Sequence, residues 1–497
     1  MLRVFSNFKK NWLLTIVKKC AKFNKYYNLQ SFNFLYKTKM SNMSTKIEKK
    51  FWYSERIVFL ASLGVFLISA ILLVFTEMGN MKLTTYNTFF DHLFNSVSVG
   101  TLTGLARGDI GNYTFGGQFV LFVNMVISGV VTSFLAISIL FFMRFGGKSR
   151  NLKQFLSDSG LDSRRTLIYI LIDLAVLIML GFGLFYVSGV TNTWEALFNS
   201  ASHIFNDGVT VKTGNFVEYA NNVPLILSGG LMITLGGIGI SVRATILKLV
   251  ADKLKFKKLS NFVPDNIIAP KNYTIAALVL TILLQIIGAA LIYYFEIGNL
   301  QTLGSQVYQN KELASWYMSV SSRTAGFTLF SDLTLFSDKT NTVLMVLMFV
   351  GAGAGSFAGG VLKLVGLTFI LDYLGKMFLS SKKQKKFLYN FSPKMKEEYN
   401  VKLYGLSFLV ISSVLALFIS ESKSNGLEII FEAISAISNT GLSLNITPTL
   451  SSLGMAIVIL LMIVGKVGFL SFVISFSESM QDHLSQKEAY TDDVGVE

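Results

Sequence analysis

Apolar residues in this chain come in long unbroken runs rather than in the stripes of a soluble amphipathic helix. Eight such runs cover residues 57–78, 115–143, 167–190, 223–249, 275–298, 342–371, 403–419 and 453–475. Each approaches or exceeds the ~20 residues that a helix needs to cross ~30 Å of hydrocarbon. The runs fall into four consecutive pairs, and a shorter apolar stretch separates the two members of each pair: 89–99, 194–205, 313–320 and 429–437. A stretch too short to span is a candidate re-entrant element.

Every short stretch leads into a glycine: Gly104, Gly208, Gly326 and Gly441. Ten positions before these stand Phe94, Phe198, Trp316 and Phe431, and one position after stand Leu105, Val209, Phe327 and Leu442. With 40 glycines in the chain, a shared glycine alone would mean little. The fixed aromatic and apolar offsets identify an internal repeat of roughly 105 to 120 residues. The predicted fold class is an all-α integral membrane protein with four membrane–pore–membrane repeats around a single pore. It has eight transmembrane helices plus four re-entrant pore helices. The expected divisions are a basic N-terminal tail (1–54), repeats over 55–145, 146–252, 253–375 and 376–478, and a C-terminal tail (479–497).

Composition agrees with this class. The chain is 52% hydrophobic and 15% charged, against about a quarter charged in a typical soluble domain. Its formal net charge of +15 sits largely in the connections between pairs. These carry Arg144, Lys148, Arg150, Arg164 and Arg165, then Lys253, Lys255, Lys257 and Lys258, then Lys382, Lys383, Lys385 and Lys386. The positive-inside rule puts those connections, and with an even number of spans both termini, on the cytoplasmic side of the cell membrane. That placement accounts for the charge without nucleic acid, and no nucleic-acid partner is expected. The N-terminal lysines, Lys9 to Lys22, suit the anionic inner surface of a lipid bilayer. One cysteine, Cys20, and three scattered histidines, His92, His203 and His483, supply neither a disulfide nor a histidine-based metal site. No cluster of His, Asp or Glu at membrane depth suggests an enzyme, and a carrier for another solute would show discontinuous helices in two related halves instead.

Irregular backbone at membrane depth is tolerated only where it is buried in protein or lines a water-filled cavity. Four such segments around one axis would offer rings of carbonyl oxygens that replace the hydration shell of a cation. The predicted lining is Thr101-Leu102-Thr103-Gly104, Phe205-Asn206-Asp207-Gly208, Arg323-Thr324-Ala325-Gly326 and Ser438-Asn439-Thr440-Gly441. A carboxylate in the conduction path would hold cations too tightly. Asp207 therefore has two readings: it faces the path, or it points behind it to backbone donors or Lys212.

These residues resemble the TrkH/KtrB/HKT superfamily of potassium transport proteins, and its KtrB branch most closely. Ser319 to Phe327 is similar to the signature SVTPRTAGF, with Ser322 in place of proline. Phe431 to Pro448 resembles the fourth-segment pattern FExxSAxxTxGLSxxxTP, and Thr101 to Leu105 resembles TVTGL. The resemblance implies a selectivity filter with four glycines, which favours potassium over sodium. A sodium-selective or sodium-coupled transporter of the same fold is the alternative. It also implies a homodimer with one pore per subunit, on a cytosolic ring of nucleotide-binding regulatory subunits of the KtrA/TrkA (RCK) type. On that account the chain carries no cofactor: potassium is the permeating ion, and the nucleotide sits on the partner.

Two features suggest a gate. Residues 349–360 hold Gly351, Gly353, Gly355, Ser356, Gly359 and Gly360, and each glycine costs a helix about 1 kcal/mol relative to alanine. No Gly-Lys-Ser/Thr follows, so a phosphate loop is excluded. Close helix packing and a mobile loop remain, and the resemblance of residues 348–363 to the family's MFIGxxxGSxxGGIK favours the loop. Lys466 lies mid-run, where an ammonium costs at least ~2.5 kcal/mol. The family usually has arginine there. Asp173 and Glu296 are expected to make structural pairs.

Overall fold

The computed structural model describes residues 45–80, 82, 86–145, 163–269, 271–353, 356–357, 359–360 and 393–467. The N-terminal segment to residue 44, Gly355, Lys382 to Lys386, His483 and the C-terminal tail lie outside them. All regular structure among the described residues is helical. The first unit comprises α1 (Thr45–Thr76), α2 (Phe89–Gly100) and α3 (Phe115–Phe145). The second comprises α4 (Ser163–Val187), α5 (Thr193–Phe205), α6 (Val223–Gly237) and α7 (Ile240–Lys253), followed by the short α8 (Lys257–Phe262). The third has α9 (Lys271–Glu296), α10 (Lys311–Ser321) and α11 (Asp338–Val350), and the fourth α12 (Pro393–Ser420), α13 (Gly426–Ser438) and α14 (Ser452–Val467).

The half-length helices α2, α5, α10 and α13 fall on the four short apolar stretches, and all but α10 start at a side-chain cap. Thr88 and Asp91 form a reciprocal capping box on α2, Asn192 accepts from the Trp194 and Glu195 amides on α5, and Asn425 with Glu428 caps α13. Such caps satisfy amide groups that the helix itself leaves unpaired. Each half-helix packs against the first helix of its own unit. Ser96 donates to the Phe66 carbonyl (2.7 Å), Ser200 to Ile178 (2.6 Å) and Ser319 to Gln285 (2.9 Å). Gly181 and Gly288 leave the room that Ser200 and Ser319 fill. In the fourth unit Ala433 stands at the corresponding place and cannot make the bond.

A second recurrent device ties the end of each first helix to the start of the next long one. Glu77 accepts from the Thr114 hydroxyl (2.7 Å), Glu296 from the Ser337 amide (2.9 Å) and hydroxyl (2.7 Å), and Glu421 from the Ser451 hydroxyl (2.5 Å). A carboxylate at a helix N-terminus also meets the positive end of its dipole. The second unit uses Asn222, which donates to the Ser188 carbonyl at 2.7 Å. Glu296 thus has the structural pairing expected of it.

Three helices among the described residues are long and apolar enough to cross a membrane: Phe115–Ser133, Arg165–Val187 and Tyr273–Glu296. The run 223–249, expected as one straight span, is instead two helices, α6 and α7, bent by 101° at the break. Gly236, Gly237 and Gly239 weaken the helix there, and Gly239 adopts φ +90° and ψ 147°, a conformation open in practice only to glycine. The run 342–371 is also interrupted: α11 ends at Val350, and Gly351 turns to φ +65° and ψ −148°.

Buried apolar clusters lie where units meet. Between the second and third, Phe185, Phe216, Tyr317 and Phe327 surround His203, which stacks on Phe327 at 3.7 Å and shares a 3.0 Å hydrogen bond with Tyr317. Between the fourth and first, Phe94 and Leu105 pack with Ile429, Ile437 and Val458. The four units therefore close on one another about a common centre.

Candidate functional site

At that centre the four glycines meet. A Cβ on Gly104 would collide with the Asp207 carbonyl, and one on Gly208 would lie 2.7 Å from the Ala325 carbonyl and 3.1 Å from the Gly326 Cα. A Cβ on Gly326 would collide with the Thr440 carbonyl and lie 3.2 Å from the Gly441 Cα, and one on Gly441 would lie 2.9 Å from the Gly104 Cα. The neighbour relations run from the first unit to the second, third, fourth and back to the first, a closed ring. All four glycines have positive φ, from +76° to +96°.

Two positions before each glycine, a non-glycine residue is also left-handed: Leu102 (φ 53°), Asn206 (54°), Thr324 (75°) and Asn439 (51°). This second ring was not anticipated. Asparagine at two of the four places was its only sequence signal, because its side chain makes left-handed backbone less costly. The turn is held from behind in the same way each time. The amide just before the glycine donates back to a half-helix serine carbonyl: Thr103 to Ser98 (2.9 Å), Asp207 to Ser202 (2.9 Å), Ala325 to Ser321 (2.8 Å) and Thr440 to Ser435 (2.9 Å). The carbonyl oxygens of residues 102–104, 206–208, 324–326 and 439–441 accept no hydrogen bond from a donor among the described residues.

The serine register exposes an error in the glycine-based alignment. Ser98, Ser202 and Ser435 stand six residues before their glycine, but Ser321 stands five before Gly326. The third segment is one residue shorter, so the fully buried aromatic matching Phe94, Phe198 and Phe431 is Tyr317, and Trp316 is only half-buried. Ser322, where the resemblance leads one to expect proline, donates its amide to the Met318 carbonyl at 2.9 Å, a bond that proline could not make.

All four glycines line one vestibule of about 530 Å³, whose wall also includes Tyr86, Asp109 and Lys212. Lys212 pairs with Glu218 at 2.6 Å, a hydrogen bond that raises its pKa. It is therefore not the partner of Asp207. Asp207 is fully buried, and neither carboxylate oxygen has a hydrogen-bond partner among the described residues. Burial opposes its ionised form, and the Lys466 ammonium acts in the other direction.

On the side of the ring away from the vestibule lies the described part of the glycine-rich segment. The Gly353 amide donates to the Gly237 carbonyl (2.8 Å), and the Gly360 amide to the Ser438 carbonyl (2.8 Å). Gly359 packs so closely on Ser438 that a Cβ would overlap the same carbonyl. Ser356 closes a local turn through its hydroxyl to the Gly353 carbonyl (2.7 Å). Lys466 donates to the Phe357 carbonyl at 2.8 Å. The segment touches the break between α6 and α7, the end of α13 and the end of α14.

Two further contributors, Arg243 and Phe357, escaped the sequence reading, and Arg323, expected in the lining, is placed elsewhere. Arg323, 4% exposed, turns away from the glycine ring and donates to the Gly351 (3.0 Å) and Thr281 (3.3 Å) carbonyls. Arg243 pairs with Asp173 at 2.7 Å, which is the structural partner expected for that aspartate, and lies 5.4 Å over the Phe357 ring. Phe357 in turn meets Phe205 edge-on at 5.2 Å. Arg243 and Phe357 carried no periodic or motif signal of their own, since only the third dimension joins them.

A ring of free carbonyl oxygens at the meeting point of four apolar hairpins defines a membrane transport protein for cations, rather than an enzyme. Comparison with known proteins gives the family. The TrkH family, described as a cation transport protein, matches residues 147–487, and the chain belongs to it. Ktr system potassium uptake protein B of Bacillus subtilis (strain 168) is 29% identical over 449 residues, covering 85% of this chain and 93% of that one. The protein of the same name from Vibrio alginolyticus is 29% identical over 438 residues, covering 83% and 89%. Potassium/sodium uptake protein NtpJ of Enterococcus hirae is 27% identical over 412 residues, covering 78% and 85%. The crystal structure of the potassium transporter TrkH from Vibrio parahaemolyticus shares the fold, with a TM-score of 0.63 at 16% identity over 84% of each chain.

Proposed function

We propose that this chain is the ion-translocating membrane subunit of a potassium uptake system of the Ktr type in the cell membrane. The observation that carries the reading is the closed ring of four left-handed glycines with unoccupied carbonyls beside them. Oxygens of this kind can replace water around a dehydrated monovalent cation, and the C-terminal dipoles of α2, α5, α10 and α13 add negative potential. On this reading Thr101 to Gly104, Asn206 to Gly208, Thr324 to Gly326 and Asn439 to Gly441 form the selectivity filter. The segment from Gly351 to Gly360, held by Lys466, is the gate beneath it. The vestibule is then the outer mouth, and both termini are cytoplasmic. A cytosolic nucleotide-binding partner agrees with the word "system" in the names of the Bacillus and Vibrio relatives, and the homodimer belongs to the same proposal. The four-repeat division with boundaries near 145, 252 and 375 belongs to the same proposal.

Complementation tests the function. Expression in a strain deficient in potassium uptake restores growth at low potassium, more strongly with a cytosolic regulatory subunit. Gly326→Ser, at φ +76° with no room for a Cβ, lowers the potassium-to-sodium flux ratio by about tenfold or more, given the 1–3 kcal/mol of backbone strain. Failure to restore growth refutes the transport reading, and an unchanged flux ratio refutes the filter assignment. One observation favours a sodium-coupled variant as the second reading. Asp207 places a carboxylate without donors beside the filter, and potassium uptake that requires external sodium would select that variant.

A further inference from the structure

Ser438 and Asn439 join the glycine-rich segment to the glycine ring. The Asn439 amide group donates to the Thr103 hydroxyl at 2.9 Å, across the boundary between the fourth and first units. It also donates to the Met462 carbonyl of α14 at 2.8 Å. Thr103 shares a 2.7 Å hydroxyl–hydroxyl contact with Thr101, whose hydroxyl donates to the Val97 carbonyl of α2 at 2.8 Å. All these groups are fully or almost fully buried. The result is one continuous hydrogen-bonded strut from α14, through the fourth segment, to the first.

The other three boundaries lack such a strut. The residues in the corresponding places are Leu102 with Asp207, Asn206 with Ala325, and Thr324 with Thr440. The side chains of Asn206, Asp207, Thr324 and Thr440 have buried polar atoms without a hydrogen-bond partner among the described residues. One boundary in four is pinned. The glycine-rich segment, which also touches the α6–α7 break, meets the fourth unit right beside this strut: the Gly360 amide binds the carbonyl of Ser438, the residue before Asn439. Four residues after Met462 on α14, Lys466 holds the Phe357 carbonyl. Gly465 leaves space for the Ile437 carbonyl and the Asn439 side chain, so α14 can lie directly against the turn.

We propose that Asn439 is a positioning residue that couples the gate segment to the selectivity of the filter. With the segment in place, the Gly360 bond fixes Ser438, Asn439 is held between Met462 and Thr103, and the first filter strand keeps its shape. When the segment leaves, Ser438 loses its partner and the strut slackens. Selectivity then depends on the state of the gate. The inference rests on the filter and gate reading above.

The test uses the full chain in proteoliposomes and measures the potassium-to-sodium flux ratio. Asn439→Ala and Thr103→Val each lower the ratio by about five- to tenfold, as expected when a buried partner is left unsatisfied. The double variant falls no further than the worse single one, because both break the same bond, and Thr103→Ser rescues the loss seen with Thr103→Val. Gly359→Ala, which pushes the segment off the Ser438 carbonyl, lowers the ratio in the wild-type background but not in Asn439→Ala. Losses that multiply instead of saturating overturn the coupling, as does a ratio unmoved by Asn439→Ala. If Asn439→Ala does not yield folded protein, Asn439→Ser and Thr103→Val run the same cycle. Gly326→Ser separates the two failures. If it leaves the ratio unchanged, the filter reading itself is wrong and the coupling falls with it. If it lowers the ratio while the cycle is additive, only the coupling is wrong.

Discussion

Asp207 stands just before a glycine of the proposed filter with no hydrogen-bond donor to either oxygen among the described residues, which makes its charge the residue-scale question of greatest consequence. A buried carboxylate normally gathers donors or a counter-charge. Here burial opposes the ionised form and the Lys466 ammonium, which is anchored to the Phe357 carbonyl, favours it. Asp207→Asn keeps the shape and removes the carboxylate's negative charge from the electrostatics around Lys466 and the proposed filter. One unit charge at an effective dielectric of ~20 shifts a cation's barrier by about 1–2 kcal/mol, or roughly five- to thirtyfold in rate. Potassium flux in Asp207→Asn is therefore expected to fall by that factor, and Asp207→Asn with Lys466→Met to recover it. Faster flux in the single variant would identify the carboxylate as a trap for the ion. The sequence revealed that Asp207 was unusual but not what it met: Lys212, the nearer lysine in the chain, is taken by Glu218.

At the scale of elements, the two interrupted helices belong together. The break after α6 and the end of α11 both use a glycine in a conformation that other residues rarely adopt, at Gly239 and Gly351. The two breaks touch, through the Gly353 amide on the Gly237 carbonyl. Arg323 binds the Gly351 carbonyl from the side of the glycine ring, and Arg243 lies over Phe357 from α7. Gly351→Ala would strain the backbone by about 1–3 kcal/mol and bring a Cβ within 2.5 Å of the Gly360 Cα. The expected outcome is a displaced segment and a higher basal potassium leak from proteoliposomes without regulatory subunits. A leak at or below the wild-type level would favour the packing reading of these glycines. The interruption of the 342–371 run was legible because its glycines are dense and local. The break in 223–249 was not, since Gly236, Gly237 and Gly239 look like ordinary small residues of a span until the third unit's loop is brought against them.

Over the whole molecule, the legible part was what each unit does alone, and the hidden part was how units join. Apolar run length, the short stretches and the repeated glycine came from local pattern, and the four half-helices lie within three residues of their expected bounds. Each boundary between units has a different chemistry that no period could announce. Aromatic stacking on His203 joins the second unit to the third, and Trp194 donates to Gln118 at 2.8 Å between the first and second. The boundary that closes the ring, between the fourth unit and the first, lies more than 300 residues apart in sequence and depends on Arg107. Its guanidinium pairs with Asp91 at 3.0 Å and donates to the carbonyls of Thr447 (3.1 Å), Pro448 (2.5 Å) and Leu450 (3.3 Å). Arg107→Ala strands a 3%-exposed carboxylate and three carbonyls together. The cost is about 3 kcal/mol, as for other buried pairs that lose one partner. The thermal midpoint of the detergent-solubilised protein should fall by several degrees. Arg107→Lys should recover only part of it, because an ammonium keeps the charge without the planar fork that reaches carboxylate and carbonyls at once. Full recovery with lysine would mean that charge alone closes the ring, and an unchanged midpoint in Arg107→Ala would mean that the filter contacts hold the first and fourth units together without it.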